Sequence, residues 1–466
     1  MIKKNELTCC LLSVILASCS MAPTYERPAM PMPDVWAQAP VDQDLGEPFD
    51  ASWEHFFVSP TLKQLIAQAL ENNRDLRIAA LNIEKARATY RIRWADRLPT
   101  VTAGVTETQA LTPKALSSTQ TRNITRKYEA NLGITAFELD LFGRVASLNE
   151  SALESYFSTK EARAAAQTSL IAEVANAYLA FLGDRKLLDL AEKTLLSHQK
   201  SLALIKESFN RGVSSEIEVA QAQALVENAR AQRATYEQRV DQDKNALTLL
   251  IGAPVDEKVL SSDPDFNTVR FIRTLRVGLP SEVLLSRPDI LQAEHTLKAA
   301  NANIGAARAA FFPTLSLTAT GGFASPTLNA LFHGVSGAWS FVPNVSMPIF
   351  DSGRNIANLD VAQTENNIAV ANYEKAIQSA FREVSDALAA KKALTEQTKA
   401  QETLVQATQT SLNLSQARYQ HGLDSYLSVL SAERTFYSAK QGKIVTQIEA
   451  FSNLITLYKT LGGGRS

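Results

Sequence analysis

In this 466-residue chain, the side chains that could make or break bonds are few and poorly spaced for it. The five histidines (His55, His198, His295, His333 and His421) are scattered. They form no His-x-x-x-His pair and no carboxylate cluster at metal-ligand spacing. His421, beside Gly422, reads as a cation at a helix C-terminus rather than as a ligand. Gly334-Val335-Ser336-Gly337 lacks the Gly-x-Ser-x-Gly spacing that exposes a serine nucleophile. No Gly-x-x-x-x-Gly-Lys loop is present to cradle a phosphate, so any energy source must sit in a partner. Methionine beyond residue 20 (Met21, Met30, Met32 and Met347) is too sparse for a soft-metal ladder. With 47 basic against 48 acidic residues, charge gives no reason to expect nucleic acid as a partner. The expectation is a protein that is not an enzyme and has no metal or soluble cofactor.

One residue does invite covalent chemistry. Lys3 and Lys4, then the apolar run around Leu11, Leu12, Val14, Ile15 and Leu16, read as a secretory signal. It ends in Leu16-Ala17-Ser18-Cys19, which matches the lipobox at which a cysteine thiol is acylated and becomes residue one. A lipid on Cys19 would anchor the chain without spanning the membrane. Ser20 stands where aspartate would signal inner-membrane retention, so the outer membrane is expected. Cys9 and Cys10 leave with the signal, which excludes disulfides and cysteine-bound metals from the mature chain.

The elements that would position anything else come in two copies. Residues 144–211 and 354–421, each running from a glycine to a glycine, contain no proline and favour helix throughout. At the helical rise, either run would reach about 100 Å, which implies a coiled coil, a helical repeat or a tube wall. Gly143-Arg144 returns as Gly353-Arg354, Gly212 as Gly422, Glu173-Val174 as Glu383-Val384 and Gly252 as Gly462. The seams Ile171, Val174, Tyr178 and Phe381, Val384, Leu388 are narrow, which suits helices packed in a single layer. Between helices the period falls to two. Val101, Ala103 and Val105 alternate with Thr102, Gly104 and Thr106. Tyr128, Ala130, Leu132, Ile134 and Ala136 are predicted to share one face. The second copy repeats this with Leu315, Leu317 and Ala319, then Trp339, Phe341, Val345, Met347 and Ile349. Phe311, Phe312, Phe323 and Trp339 fall near strand ends, where membrane barrels carry aromatic girdles. A single hairpin of this kind would equally suit the surface of a soluble domain. Its duplication favours the membrane.

The expected divisions are 1–18 as signal peptide and 19–60 as a proline-studded tether. The first repeat is 61–252, with its hairpin at about 100–142 and its tip at Gly212; 253–280 is an equatorial joint. The second repeat is 281–462, with its hairpin at about 314–352 and its tip at Gly422, followed by a 463–466 tail. Four membrane strands cannot close a barrel, because single-chain barrels begin at about eight strands. Copies must therefore share one.

Arg287-Pro288-Asp289-Ile290, Ala306-Ala307-Arg308-Ala309-Ala310-Phe311-Phe312-Pro313 and Phe350-Asp351-Ser352-Gly353-Arg354, with the lipobox and the duplication, resemble the outer membrane efflux proteins of the TolC type. Within that family the likeness is to the lipoprotein branch paired with resistance-nodulation-division pumps. The resemblance implies a mixed membrane α+β fold: a homotrimer whose 12-stranded outer-membrane barrel is continued by a periplasmic α-helical barrel. It also implies docking of the tips at Gly212 and Gly422 to a periplasmic adaptor, and a proton-driven inner-membrane pump as partner. In the family the second tip reads Tyr-Leu-x-x-Leu-Asp-Ala-Gln/Glu-Arg and narrows the periplasmic entrance. Tyr426-Leu427-Ser428-Val429-Leu430-Ser431-Ala432-Glu433-Arg434 keeps Leu427 and Arg434 but has Ser431 in place of the aspartate. The implied gate is Leu427 packing plus Arg434 pairing with Glu433, Glu216 or Glu218. The expected function is passive export of small toxic compounds, drugs or metal ions. A type I protein secretion channel and a pore-less periplasmic coiled-coil scaffold lipoprotein are the alternatives.

Overall fold

The computed structural model describes residues 20–33, 36, 52–117, 120–261 and 280–463. The signal peptide, Cys19, part of the tether (34–35 and 37–51), most of the 253–280 joint and the last three residues lie outside the described residues. In chain order the helices and strands are α1 Trp53–Phe56, α2 Pro60–Asn72, α3 Arg74–Ala95, β1 Val101–Thr112, β2 Asn123–Leu139, α4 Arg144–Asn210 and α5 Glu216–Ile251. There follow α6 Glu257–Ser261, α7 Pro280–Leu285, α8 Pro288–Ala309, β3 Thr314–Ser325, β4 Gly337–Ser346, α9 Arg354–Gln420 and α10 Tyr426–Thr460. Both α4 and α9 run 67 residues unbroken. Thr61 to Leu98, free of proline and glycine, reads in sequence as one long helix or two abutting ones, and the structure has two. Asn73 leaves helical geometry, its side-chain Nδ2 donates to the Leu250 carbonyl (2.7 Å), and its Oδ1 accepts from the Leu76 amide (2.9 Å), capping α3.

The chain forms two compact units, and each draws on both sequence repeats. The first (1–29, 82–160 and 292–374) contains an antiparallel sheet ordered β1-β2-β3-β4. Pairing fixes which side chains share a face. Ala103, Leu132, Gly321 and Trp339 form one row across all four strands, and Val101, Ile134, Ala319 and Phe341 form the next. On the other face the rows read Thr102, Gly133, Thr320, Ser340 and Gly104, Asn131, Gly322, Ala338. One side is therefore apolar and the other small or polar, as a sheet between lipid and water requires. Uninterrupted alternation predicted Ala136 on the apolar side, and this is corrected. A β-bulge falls between Ile134 and Phe137, with Ala136 at φ 52° and its amide held by Thr318 Oγ1 (3.0 Å). Phe137, not Ala136, continues the apolar face, opposite Leu317 and Pro343. Phe312 stacks on Phe142 (4.7 Å) where β3 begins, and Phe323 meets Phe332 (5.6 Å) where it ends, so aromatics flank the band.

The second unit (30–81, 161–291 and 375–466) is built from helices. Phe56 stacks on Tyr458 (4.5 Å) with Phe57 edge-on (5.5 Å), all fully buried with Leu62, Leu65, Leu247 and Ile251. The seam residues Ile171, Val174, Tyr178 and Val384 are buried as their spacing predicted. Arg287 ties three elements together. Its guanidinium holds Asp289 through Nε (3.0 Å) and Nη2 (2.7 Å), Glu383 on α9 (2.9 Å), and the Thr460 carbonyl at the end of α10 (2.9 Å). A planar fork that reaches all of these acceptors at once is geometry a lysine cannot reproduce. Replacing Arg287 by Ala is expected to cost about 2–4 kcal/mol by stranding those acceptors, with Lys no substitute. Thermal unfolding of R287A and R287K followed by circular dichroism checks this; an unchanged midpoint would remove Arg287 from the framework.

Candidate functional site

The two helical tips are closed by the same backbone device. At the first, Gly212 takes φ 77°, its amide donates to the Phe209 carbonyl (2.9 Å), and Val213 donates to Ser208 (2.9 Å). At the second, Gly422 takes φ 70°, donating to Tyr419 (2.9 Å), and Leu423 donates to Arg418 (2.9 Å). This is the paired hydrogen-bond pattern of a Schellman cap, and its left-handed residue favours glycine. Each tip then exposes two apolar side chains at matching positions: Val213 and Ile217, Leu423 and Leu427. A buried core holds the tips together. Leu195, Leu202 and Ile205 of α4 pack with Leu225 and Val226 of α5, Leu412 of α9, and Tyr426, Val429 and Leu430 of α10.

Side-chain capping, by contrast, differs between the tips. Ser215 and Glu218 form a reciprocal capping box on α5: Ser215 Oγ accepts from the Glu218 amide (3.3 Å), and Glu218 Oε2 accepts from the Ser215 amide (2.8 Å). At the second tip Ser425 makes no side-chain cap. Asp424 instead ties the turn to both helices, accepting from Ser428 Oγ (3.0 Å), the Ser425 amide (3.0 Å) and Arg418 Nε (3.3 Å). Those bonds, Ser428 first and then Arg418, hold the Asp424 carboxyl below the usual range. Sequence reasoning passed over Asp424. Its place two residues past the tip glycine, before a serine at the helix N-cap, is the signal that marks it.

The residues predicted to gate the entrance separate into three groups. Leu427 is 61% exposed, and Arg434 is also exposed. Among the described residues Arg434 makes no ion pair within the chain. Glu216 and Ser431 are exposed as well, while the carboxylate of Glu218 is committed to its cap. Glu433 is buried, 3.4 Å from His198 Nδ1, and so faces the helix interface while its neighbour Arg434 faces out. The structure therefore does not bring Arg434 together with any of the three acids within one chain.

Among the described residues, no group of three or more His, Cys, Asp or Glu side chains could hold a metal, and no helix is long and apolar enough to cross a membrane. The geometry is that of a sheet with one apolar face and two paired helical tips.

Comparison with known proteins agrees with this geometry. Residues 65–253 and 279–463 match the family described as outer membrane efflux protein. An antibiotic efflux pump outer membrane protein, ArpC, of Pseudomonas putida is 45% identical over 469 residues, covering 99% of this chain and 96% of the relative. A toluene efflux pump outer membrane protein, TtgC, also of Pseudomonas putida, matches with the same identity and coverage. Among solved structures, the open state of the Neisseria gonorrhoeae MtrE outer membrane channel superposes with a TM-score of 0.87 at 39% identity, covering 96% of this chain and 98% of that one. The family is one of channels, not enzymes. This chain belongs to the outer membrane efflux protein family, with the fold and the duplicated build of a TolC-type exit duct.

Proposed function

We propose that three copies of this chain close one twelve-stranded barrel, and that the barrel and a helical tube conduct small toxic compounds from a periplasmic adaptor and a proton-driven inner-membrane pump to the outside. The observation that carries this is the sheet register, with its apolar rows on one side and its threonine, serine, asparagine and glycine rows on the other. Strands β1 and β4 form the two edges of the sheet, and an edge left unpaired in hydrocarbon costs several kcal/mol per backbone group. The exposed Val213, Ile217, Leu423 and Leu427 offer an apolar landing place for the adaptor around Gly212 and Gly422. The relatives' names lie on the side of efflux rather than protein secretion, and one names antibiotic and another toluene at equal identity. Apolar drugs and solvents are therefore the cargo class favoured over metal ions.

The lipid anchor at Cys19 is supported by the strap that follows it. Running against the direction of α8, Arg27 binds Glu294 through Nε (3.2 Å) and Nη2 (3.0 Å), Asn301 donates to the Pro23 carbonyl (2.8 Å), and Arg308 donates to the Met21 carbonyl (3.3 Å). The strap thus brings Met21 to the end of α8 from which the chain enters β3, the level at which an acyl chain would meet lipid. Cells fed labelled palmitate are expected to label the wild-type protein and not Cys19→Ala; equal labelling would remove the anchor.

Closure at the entrance falls to Leu427 packing and to Arg434 pairing with an acid of a neighbouring copy. Channels carrying Leu427→Ala or Arg434→Ala are expected to conduct severalfold more than wild type in planar bilayers, since each removes a side chain from the narrowest ring. Should both conduct as wild type does, the gate lies elsewhere.

A further inference from the structure

His198 on α4 and Glu433 on α10 meet in the helical unit, just beyond the tip core, with side-chain exposures of 11% and 8%. Their closest atoms are 3.4 Å apart, and neither His198 Nδ1 nor Glu433 Oε2 has a hydrogen-bond partner. Both line a cavity of about 210 Å³ that opens between α4, α9 and α10. Leu190, Leu412 and Phe436 supply its apolar walls. A charged pair in such a place is held by mutual attraction alone, so losing one charge leaves the other buried without compensation. Imidazole is the side chain that loses its charge between about pH 5 and 8.

We infer that His198 and Glu433 form a proton-dependent latch between α4 and α10 that holds the entrance closed when His198 is protonated and loosens it when His198 is neutral. The latch acts on the gate proposed above, Leu427 and Arg434, and rests on that reading. Arg434 adjoins Glu433 on α10 and Leu427 lies farther toward the tip on the same helix, so weakening this contact loosens the α10 segment that carries both, while the tip core keeps the helices joined. The direction follows from charge. Imidazolium against carboxylate attracts; neutral imidazole takes away the cation nearest the buried Glu433, and the contact between α4 and α10 weakens as pH rises.

The other groups facing this pair do not produce such a switch. Tyr437 is pushed up to about 12 by burial, and Tyr426 likewise to about 12 by burial and then by Glu433. Lys440, lowered by burial and by Lys193, lies over the Phe436 ring (4.2 Å), and with Lys193 it adds positive field to the cavity. Thr194, Ser197 and Gln416 are neutral. Outside the cavity, the Asp243 carboxyl on α5 is pushed up to about 6 by burial and by Asp184. It serves as the control.

The test is conductance of the purified wild-type channel in planar bilayers between about pH 5.5 and about pH 8. Wild type is expected to conduct on the order of threefold more at the higher pH, a modest population shift. His198→Gln and Glu433→Gln should each abolish the step, Asp243→Asn should keep it, and the swap of His198→Glu with Glu433→His should restore it. A merely structural pair would not be rescued by the swap. A step that survives in both single variants, or vanishes only in Asp243→Asn, overturns the latch. Leu427→Ala raising conductance at every pH while the step persists in His198→Gln would sink the latch and leave the gate standing; no effect of either Leu427→Ala or Arg434→Ala would sink the gate itself.

Discussion

A backbone amide in hydrocarbon has no water to turn to, and the rest of this molecule follows from that. Each chain brings a sheet of four strands whose outer members, β1 and β4, each have one side unpaired. Neither edge can be left to lipid, so strands must be finished by strands from elsewhere. Duplication within the chain supplies two hairpins that already pair, β2 to β3, across the repeat boundary. That pairing is why the compact units cut across the sequence repeats instead of coinciding with them.

The duplication preserved backbone more faithfully than side chains. Gly212 and Gly422 close their helices with the same two hydrogen bonds, and α4 and α9 have equal length. Past those glycines the copies diverge: a serine–glutamate box caps one helix, and at the other Asp424 ties the turn to Ser428 and Arg418. Glu433 faces inward to His198. Two identical tips would respond alike to any change in their surroundings. Two tips with different polar attachments do not respond alike, which is what the proposed gate at the second tip requires.

Much of this was legible in the sequence because the two periods are distinct. Alternation marks Val101 to Val105 as strand, and glycine-bounded runs rich in alanine, leucine and glutamine mark the long helices. The tip glycines were legible because a left-handed cap favours that residue. Three things were not. The bulge at Ala136 is invisible because an extra residue in one strand only shows against its partner's register. The break at Asn73 depends on a carbonyl of α5, far along the chain. Which neighbour on α10 faces inward, Glu433 or Arg434, is decided by the packing of α4, and both read as solvated charges in isolation. Long-range partners fixed each of these, and no local pattern carries them.

One chain, on this view, supplies a third of a closed wall. Native mass spectrometry of the purified protein released from mild detergent counts the copies directly. A particle of three chains that persists as the detergent is stripped away is the predicted result. A stable single chain, with Trp339 accessible to an aqueous quencher, would contradict it.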